Sequence, residues 1–315
     1  MIDAALPARP QENAVLAVHS LDHFALAVPD LGEAQRFYEA FGLSVGNVPD
    51  GLRLDTPQGP VARITEAGRR QLRYCSFNID GAALDPFRRR LEAGGVALAD
   101  PPRERSGDGV WFADPDGVLI EVMARERTSP RAKSVTEITI APEGVRRAAQ
   151  EAGTAIVPRR LGHVLRFTRD VSRTVRFYEQ FLGLRVSDRS GDIIAFMHSP
   201  HGSDHHLVAF VRSQHPGFHH ASFDVGAIDA VGLGAMRMAE HGYREGWGFG
   251  RHEAGSNFFH YVRDPWGSFA EYFCDMDYIP AGMDWVARDV PPELSLQLWG
   301  PPVPAYFLEN HESAG

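Results

Sequence analysis

Residues 21–43, LDHFALAVPDLGEAQRFYEAFGL, can be laid on residues 161–184, LGHVLRFTRDVSRTVRFYEQFLGL. His23 then meets His163, and the RFYE of Arg36–Glu39 meets that of Arg176–Glu179. Further on, VWFADPDGVLIEV (110–122) lies on HYVRDPWGSFAEYF (260–273). Asp114-Pro115 meets Asp264-Pro265, Gly117 meets Gly267, and Glu121 meets Glu271. Matches in the same order at nearly one offset mark a duplication, and the fold must be built from two like halves.

Within each copy the pattern runs strand, helix, strands, and then the same again. HFALAV (23–28) and HVLRF (163–167) are short β-type runs. The helix after the second has Val171, Val175, Tyr178 and Leu182 on one face, with Asp170 or Ser172 as N-cap. LDPFRRRLEAGG (84–95) and AIDAVGLGAMRMAEHG (227–242) read as second helices closed by glycine. DPDG and DPWG are turns that join strands into hairpins. Each copy is therefore two βαβββ-like modules, four in the chain. Residues 1–18 read as a tail, 19–125 and 160–275 as the two domains, and 126–159 as a linker. Residues 276–315, rich in proline, read as an irregular tail acting as a lid.

The chain has 315 residues with 43% apolar and 23% charged side chains, a globular composition sufficient for two domains. Its net charge of −9 argues against a nucleic-acid partner, which normally requires a basic footprint. No apolar run is long enough for a membrane span, and MIDAALPARPQENA has neither the basic nor the apolar region of a secretory leader. The two cysteines, Cys75 and Cys274, are far apart and in no metal spacing, so a reduced, cytoplasmic protein is expected. Of 14 histidines, eleven lie between His163 and His260, which points to a metal site in the second half alone.

Paired βαβββ modules with a GHV-type first strand and a DPxG–Glu last hairpin resemble the vicinal oxygen chelate superfamily. The two-domain length resembles its type I extradiol ring-cleaving dioxygenases, and the tail resembles the lid-bearing homoprotocatechuate dioxygenase branch. The resemblance implies an α+β, duplicated fold of two barrel-like domains, each curled round a cavity, in a homo-oligomer, a tetramer by family habit. It implies His163, His220 and Glu271 as metal ligands. Two imidazoles and a carboxylate leave three positions open, the facial arrangement of non-haem Fe(II) oxygenases, and Mn(II) accepts the same set. The first copy has Tyr74 where His220 stands, so it lacks the triad. Adjacent strand side chains face opposite ways, so only one of His219 and His220 is expected in the cavity, and the family pattern favours His220.

The same resemblance singles out His252, nine residues before Tyr261, and Glu271 ten beyond that, within GRHEAGSNFFHYVRDPWGSFAEYF. His206 opens an H-x-x-A run ending at Ala209 and matches the family's acid–base histidine, with His205 as its rival. The implied chemistry is extradiol cleavage of a catechol by O2, giving a hydroxymuconic semialdehyde-type product in aromatic catabolism. His206 would move a hydroxyl proton, while His252 and Tyr261 would hydrogen-bond substrate oxygen. Where the homoprotocatechuate enzymes place an arginine five residues before the second-sphere histidine, this chain has Trp247, and Leu296, Gln297 and Leu298 stand near the second arginine position. A pocket lined by Trp247, Phe249 and apolar tail residues, with His205 as a further substrate contact, suits an uncharged substituted catechol or polyhydroxylated aromatic. Rival readings are a hydroxyphenylpyruvate-dioxygenase-like oxygenase, a glyoxalase-like isomerase and a non-catalytic binding protein of the same superfamily.

Overall fold

Short β-type runs flank each helix, and in the computed structural model they assemble two large sheets. Residues 15–103, 105, 107–138, 142–145 and 156–312 are described. Much of the expected N-terminal tail (1–14) and parts of the linker (139–141, 146–155) lie outside the described residues. The first domain runs β1 (Ser20–Val28), α1 (Leu31–Phe41), β2 (Ser44–Val48), β3 (Gly51–Thr56), β4 (Gly59–Glu66), β5 (Gln71–Ile79), α2 (Leu84–Ala93), β6 (Val110–Ala113) and β7 (Leu119–Ala124). The second runs β8 (Arg160–Thr168), α3 (Val171–Phe177), β9 (Arg185–Ser190), β10 (Ile194–His198), β11 (Ser203–Asp204), β12 (Val208–Arg212), β13 (Gly217–Asp224), α4 (Ile228–Glu240), β14 (Gly246–Arg251), β15 (Phe258–Arg263) and β16 (Phe269–Cys274). The tail adds β17 (Tyr278–Ile279) and β18 (Arg288–Asp289).

One large sheet has the order β2-β3-β4-β1-β5-β7-β6, the other β14-β15-β16-β13-β8-β12-β10-β9-β18, and β11 pairs with β17 in a third sheet of two strands. In each large sheet, the two halves join through one antiparallel pair, β1–β5 and β8–β13. The registers repeat as well. His23 stands opposite Ser76, which stands beside Glu121; His163 stands opposite Ser222, which stands beside Glu271. The duplication read from sequence is thus the architecture, a sheet-rich α+β pair. The second module falls short of βαβββ, because after α2 one strand shrinks to a single bridge between Leu98 and Phe112. Pro101 and Pro102, which cannot donate to a ladder, follow directly.

Asp30 and Asp170 cap α1 and α3, each accepting a backbone N–H at 2.8 Å. The helix expected to carry Val171 to Leu182 instead passes into a π-helical turn over Tyr178–Leu182 that ends at Gly183, φ 73°. A Cβ there would lie 2.6 Å from Ala17, so glycine is needed both for the conformation and for the close approach. Asp114 and Asp264 close the two DPxG turns, each accepting two backbone N–H groups through one carboxylate oxygen. The domains share one apolar core: Phe41 stacks on Tyr272 at 3.9 Å, and the Tyr272 hydroxyl donates to the Phe41 carbonyl. The ion pair between Arg166 and Asp114, both fully buried, also crosses this junction. Among the described residues no helix is long and apolar enough to cross a membrane.

Candidate metal centre and active site

Alternation along β8 turns His163, Leu165 and Phe167 to one side of the sheet and Val164 to the shared core on the other. Across the second sheet the pairing aligns Trp247, Tyr261, Glu271, Ser222 and His163 in one row over five strands. His220 stands one step off that row, opposite Leu165. The fold therefore delivers His163, His220 and Glu271 from three adjacent, fully buried strands, which fixes their geometry.

His163 Nε2 and His220 Nε2 are 3.2 Å apart, and Glu271 Oε2 lies 3.3 and 3.5 Å from them. Burial alone would raise the Glu271 carboxyl, but the imidazoles of His163 and His252 beside it hold it well below the usual carboxylate range. Burial, reinforced by His219, holds His220 well below its ordinary value. An ionised carboxylate and a neutral imidazole are the forms a cation requires. Glu271 Oε2 is buried yet accepts no hydrogen bond among the described residues, and a cation between these three atoms would satisfy it. The donor set fits a metal, and it is the only group of its kind among the described residues.

Both His–His pairs are resolved by their partners. His219 is the extra residue of a β-bulge, since Phe218 pairs with Arg166 and His220 with the next residue, Leu165. The bulge defeats simple alternation, and both histidines line the cavity. His219 Nε2 donates to the Phe307 carbonyl at 2.7 Å, so its Nδ1 accepts from His220 Nδ1, also at 2.7 Å. His220 Nε2 is thereby left with its lone pair toward Glu271. His205 and His206 lie between β11 and β12 rather than on a strand. His206 lines the cavity, its ring 4.1 Å from that of His163, and burial keeps it well below its ordinary pKa.

His252 and Tyr261 come together at 2.9 Å, His252 Nδ1 donates to the Leu296 carbonyl, and Trp247 stacks 5.6 Å from Tyr261. Burial, then the Glu271 charge, raises Tyr261 well above its ordinary value, so it remains a donor. Two expected pocket residues lie elsewhere. His205 is buried against Asp188, 3.1 Å from its carboxylate. Phe249 is the bulged residue of β14, and it stacks on Phe258 outside the cavity. The sequence reading missed Asn257, which donates to Glu271 Oε1, and the apolar wall of Leu165, Ile194, Phe196 and Val211. Alternation from His163 points to Leu165; nothing in its type marks Asn257. The tail crosses the cavity, contributing Ser295, Leu296, Phe307 and Leu308. Arg288 is held by Asp188 and Glu253, and Arg251 by Asp275, so neither reaches the cavity.

In the first domain His23 meets the Tyr74 hydroxyl at 3.2 Å, and Ser76 and Arg105 donate to Glu121. The carboxylate is fully paired there.

The family profile described as Glyoxalase/Bleomycin resistance protein/Dioxygenase superfamily matches residues 20–122 and 160–272, and the chain belongs to that superfamily. Its relatives there are more particular. Metapyrocatechase 2 of Cupriavidus necator is 50% identical over 308 residues, covering 97% of this chain and 95% of the relative. An iron-dependent extradiol dioxygenase of Rhodococcus jostii is 25% identical over 90% of this chain and 97% of its own. The crystal structure of the Mn(II)-bound glyoxalase from Novosphingobium aromaticivorans superposes with a TM-score of 0.77 at 25% identity, covering 95% of this chain and 97% of that one.

Proposed function

We propose that the protein is an extradiol dioxygenase that opens a catechol ring beside its two hydroxyls with O2, at one Fe(II), with Mn(II) the alternative metal. The observation that carries this reading is that His163 and His220 of the triad line one cavity together with His206 and the His252–Tyr261 pair. The 50% identity to a metapyrocatechase and the 25% identity to an iron-dependent extradiol dioxygenase support it. A bound metal would supply the Lewis acidity that lowers a catechol hydroxyl pKa. His163, His220 and Glu271 would hold it. His206, neutral at rest, takes the second hydroxyl proton and later returns it. Tyr261 and His252 hydrogen-bond the oxygen on the far side, stabilising negative charge as it develops. Apolar walls and the tail exclude water. Among the described residues the cavity has no Lys or Arg in its lining, which suits an uncharged catechol.

The glyoxalase likeness does not change this, because the first domain offers only His23 and Glu121, the latter occupied by Arg105. Cytoplasmic location and a homo-oligomer, a tetramer by family resemblance, complete the proposal; exposed Val286, Leu294, Leu298 and Trp299 on the tail supply apolar surface for assembly. The test is metal analysis of anaerobically purified protein together with a spectrophotometric screen of catechols. A yellow product with stoichiometric O2 uptake is expected. Catechols consumed without O2, or not at all by iron-loaded protein, would refute the assignment.

A further inference from the structure

His205 has no place in the chemistry above, yet it is fully buried and bonded at both ring nitrogens. Its Nε2 lies 3.1 Å from Asp188 Oδ2 and its Nδ1 lies 3.1 Å from His206 Nδ1. Asp188 also accepts from the Arg288 backbone N–H and guanidinium, at 2.8 and 2.9 Å. Burial opposes its ionisation, but these donors hold the carboxyl down at about 2, so it is an acceptor. A carboxylate only accepts, so His205 carries a hydrogen on Nε2, and as a neutral ring it presents a bare Nδ1. That Nδ1 can pair with His206 Nδ1 only if His206 is protonated there.

We propose that Asp188 and His205 are positioning residues that hold His206 as its Nδ1–H tautomer, with the Nε2 lone pair turned to the cavity. The inference rests on the proposed ring cleavage for the use made of that lone pair. A catechol hydroxyl proton moves to Nε2, the resulting imidazolium keeps its Nδ1–H bond to His205, and Asp188 balances the charge through His205. The proton then leaves from Nε2 to the opened product, and the neutral tautomer is restored. The His219–His220 pair is built in the same way, with the Phe307 carbonyl in place of the carboxylate.

The test combines spectroscopy and kinetics. Long-range proton–nitrogen correlation spectra of metal-free, histidine-labelled protein, assigned by difference against His206→Phe, should show His206 protonated at Nδ1 and bare at Nε2. Asp188→Asn should keep the metal content, leave catechol KM nearly unchanged and lower kcat roughly 10- to 100-fold, less than the ~10⁴-fold seen when the aspartate touches the catalytic histidine directly. Asp188→Glu should recover part of the loss. Arg189→Met removes a half-exposed ion pair with Asp289 outside the relay and should stay within about fivefold of the parent. A parent spectrum with His206 bare at Nδ1 overturns the proposal, and this reading does not depend on Asp188→Asn folding. So does an equal loss of kcat in Arg189→Met and Asp188→Asn. If the tautomer is as stated but no catechol is cleaved, the assigned reaction fails and the relay stands.

Discussion

Arg105 donates to both carboxylate oxygens of Glu121, at 2.7 and 2.8 Å, at the register position where Glu271 of the second domain meets His163 and His220. A guanidinium thus supplies to the first domain the positive charge that a metal would supply to the second. One guanidinium nitrogen bridging both oxygens, with Ser76 as a second donor, leaves that carboxylate without the spare oxygen that Glu271 Oε2 presents.

The first prediction follows from this contrast. His220→Ala should abolish metal binding, while Tyr74→Ala should leave one metal per chain. Tyr74→His, which completes a His–His–Glu set in sequence, should still bind no second ion, because Arg105 occupies Glu121. Metal analysis by mass spectrometry after gel filtration decides it. Two metals per chain in Tyr74→His would show that Arg105 yields its carboxylate to a cation.

The second concerns His206, which lines the cavity 4.1 Å from the His163 ring without being one of the three ligands. His206→Phe should keep metal content and catechol affinity nearly unchanged and lower turnover by roughly 10²- to 10⁴-fold, the usual worth of a positioned acid–base. Stopped-flow binding and steady-state turnover separate the two effects. Loss of metal would reassign the residue to the ligand shell.

The duplication made most of the fold legible, because residues matched between copies also occupy matched registers: His23 with His163, Ser76 with Ser222, Glu121 with Glu271. The clustering of His163, His220 and Glu271 was legible for the same reason. What escaped was local. Period-two alternation cannot foresee a bulge, and bulges at His219 and Phe249 each turn one side chain to the unexpected face. His205 and His206 lie off the strands, so alternation says nothing about them, and only the Asp188 contact shows which one faces the cavity. Asp114 read as a turn residue alone; its pairing with Arg166 across the domain junction depends on tertiary contact.

That ion pair carries the third prediction. Both side chains are fully buried, and Arg166 also donates to the Tyr178 hydroxyl at 3.0 Å. Asp114→Ala leaves a guanidinium without its counter-charge and opens the turn that Asp114 caps. Stability should fall by about 3–5 kcal/mol, as for a broken buried pair. Urea unfolding followed by far-UV circular dichroism measures it. A cost below about 1 kcal/mol, typical of exposed pairs, would show that water reaches Arg166.

The last prediction concerns substrate charge. Trp247 lines the cavity, its indole N–H donates to the Pro301 carbonyl at 2.9 Å, and its ring lies parallel to Tyr261. It therefore packs against the tail and borders the substrate space at once, so no cation enters from this position. Arg288 and Arg251 are each engaged by carboxylates outside the cavity. A buried carboxylate without a cationic partner costs several kcal/mol. The value of kcat/KM for 4-methylcatechol should therefore exceed that for 3,4-dihydroxyphenylacetate by at least about a hundredfold, roughly 2.7 kcal/mol of discrimination. Trp247→Arg should narrow the gap by raising activity on the acid, provided metal content is held equal between variants. Comparable activity of the parent enzyme on both substrates would mean that Arg288 or Arg251 leaves its carboxylates to meet the substrate, and the apolar reading of the pocket would fall while the metal centre remained.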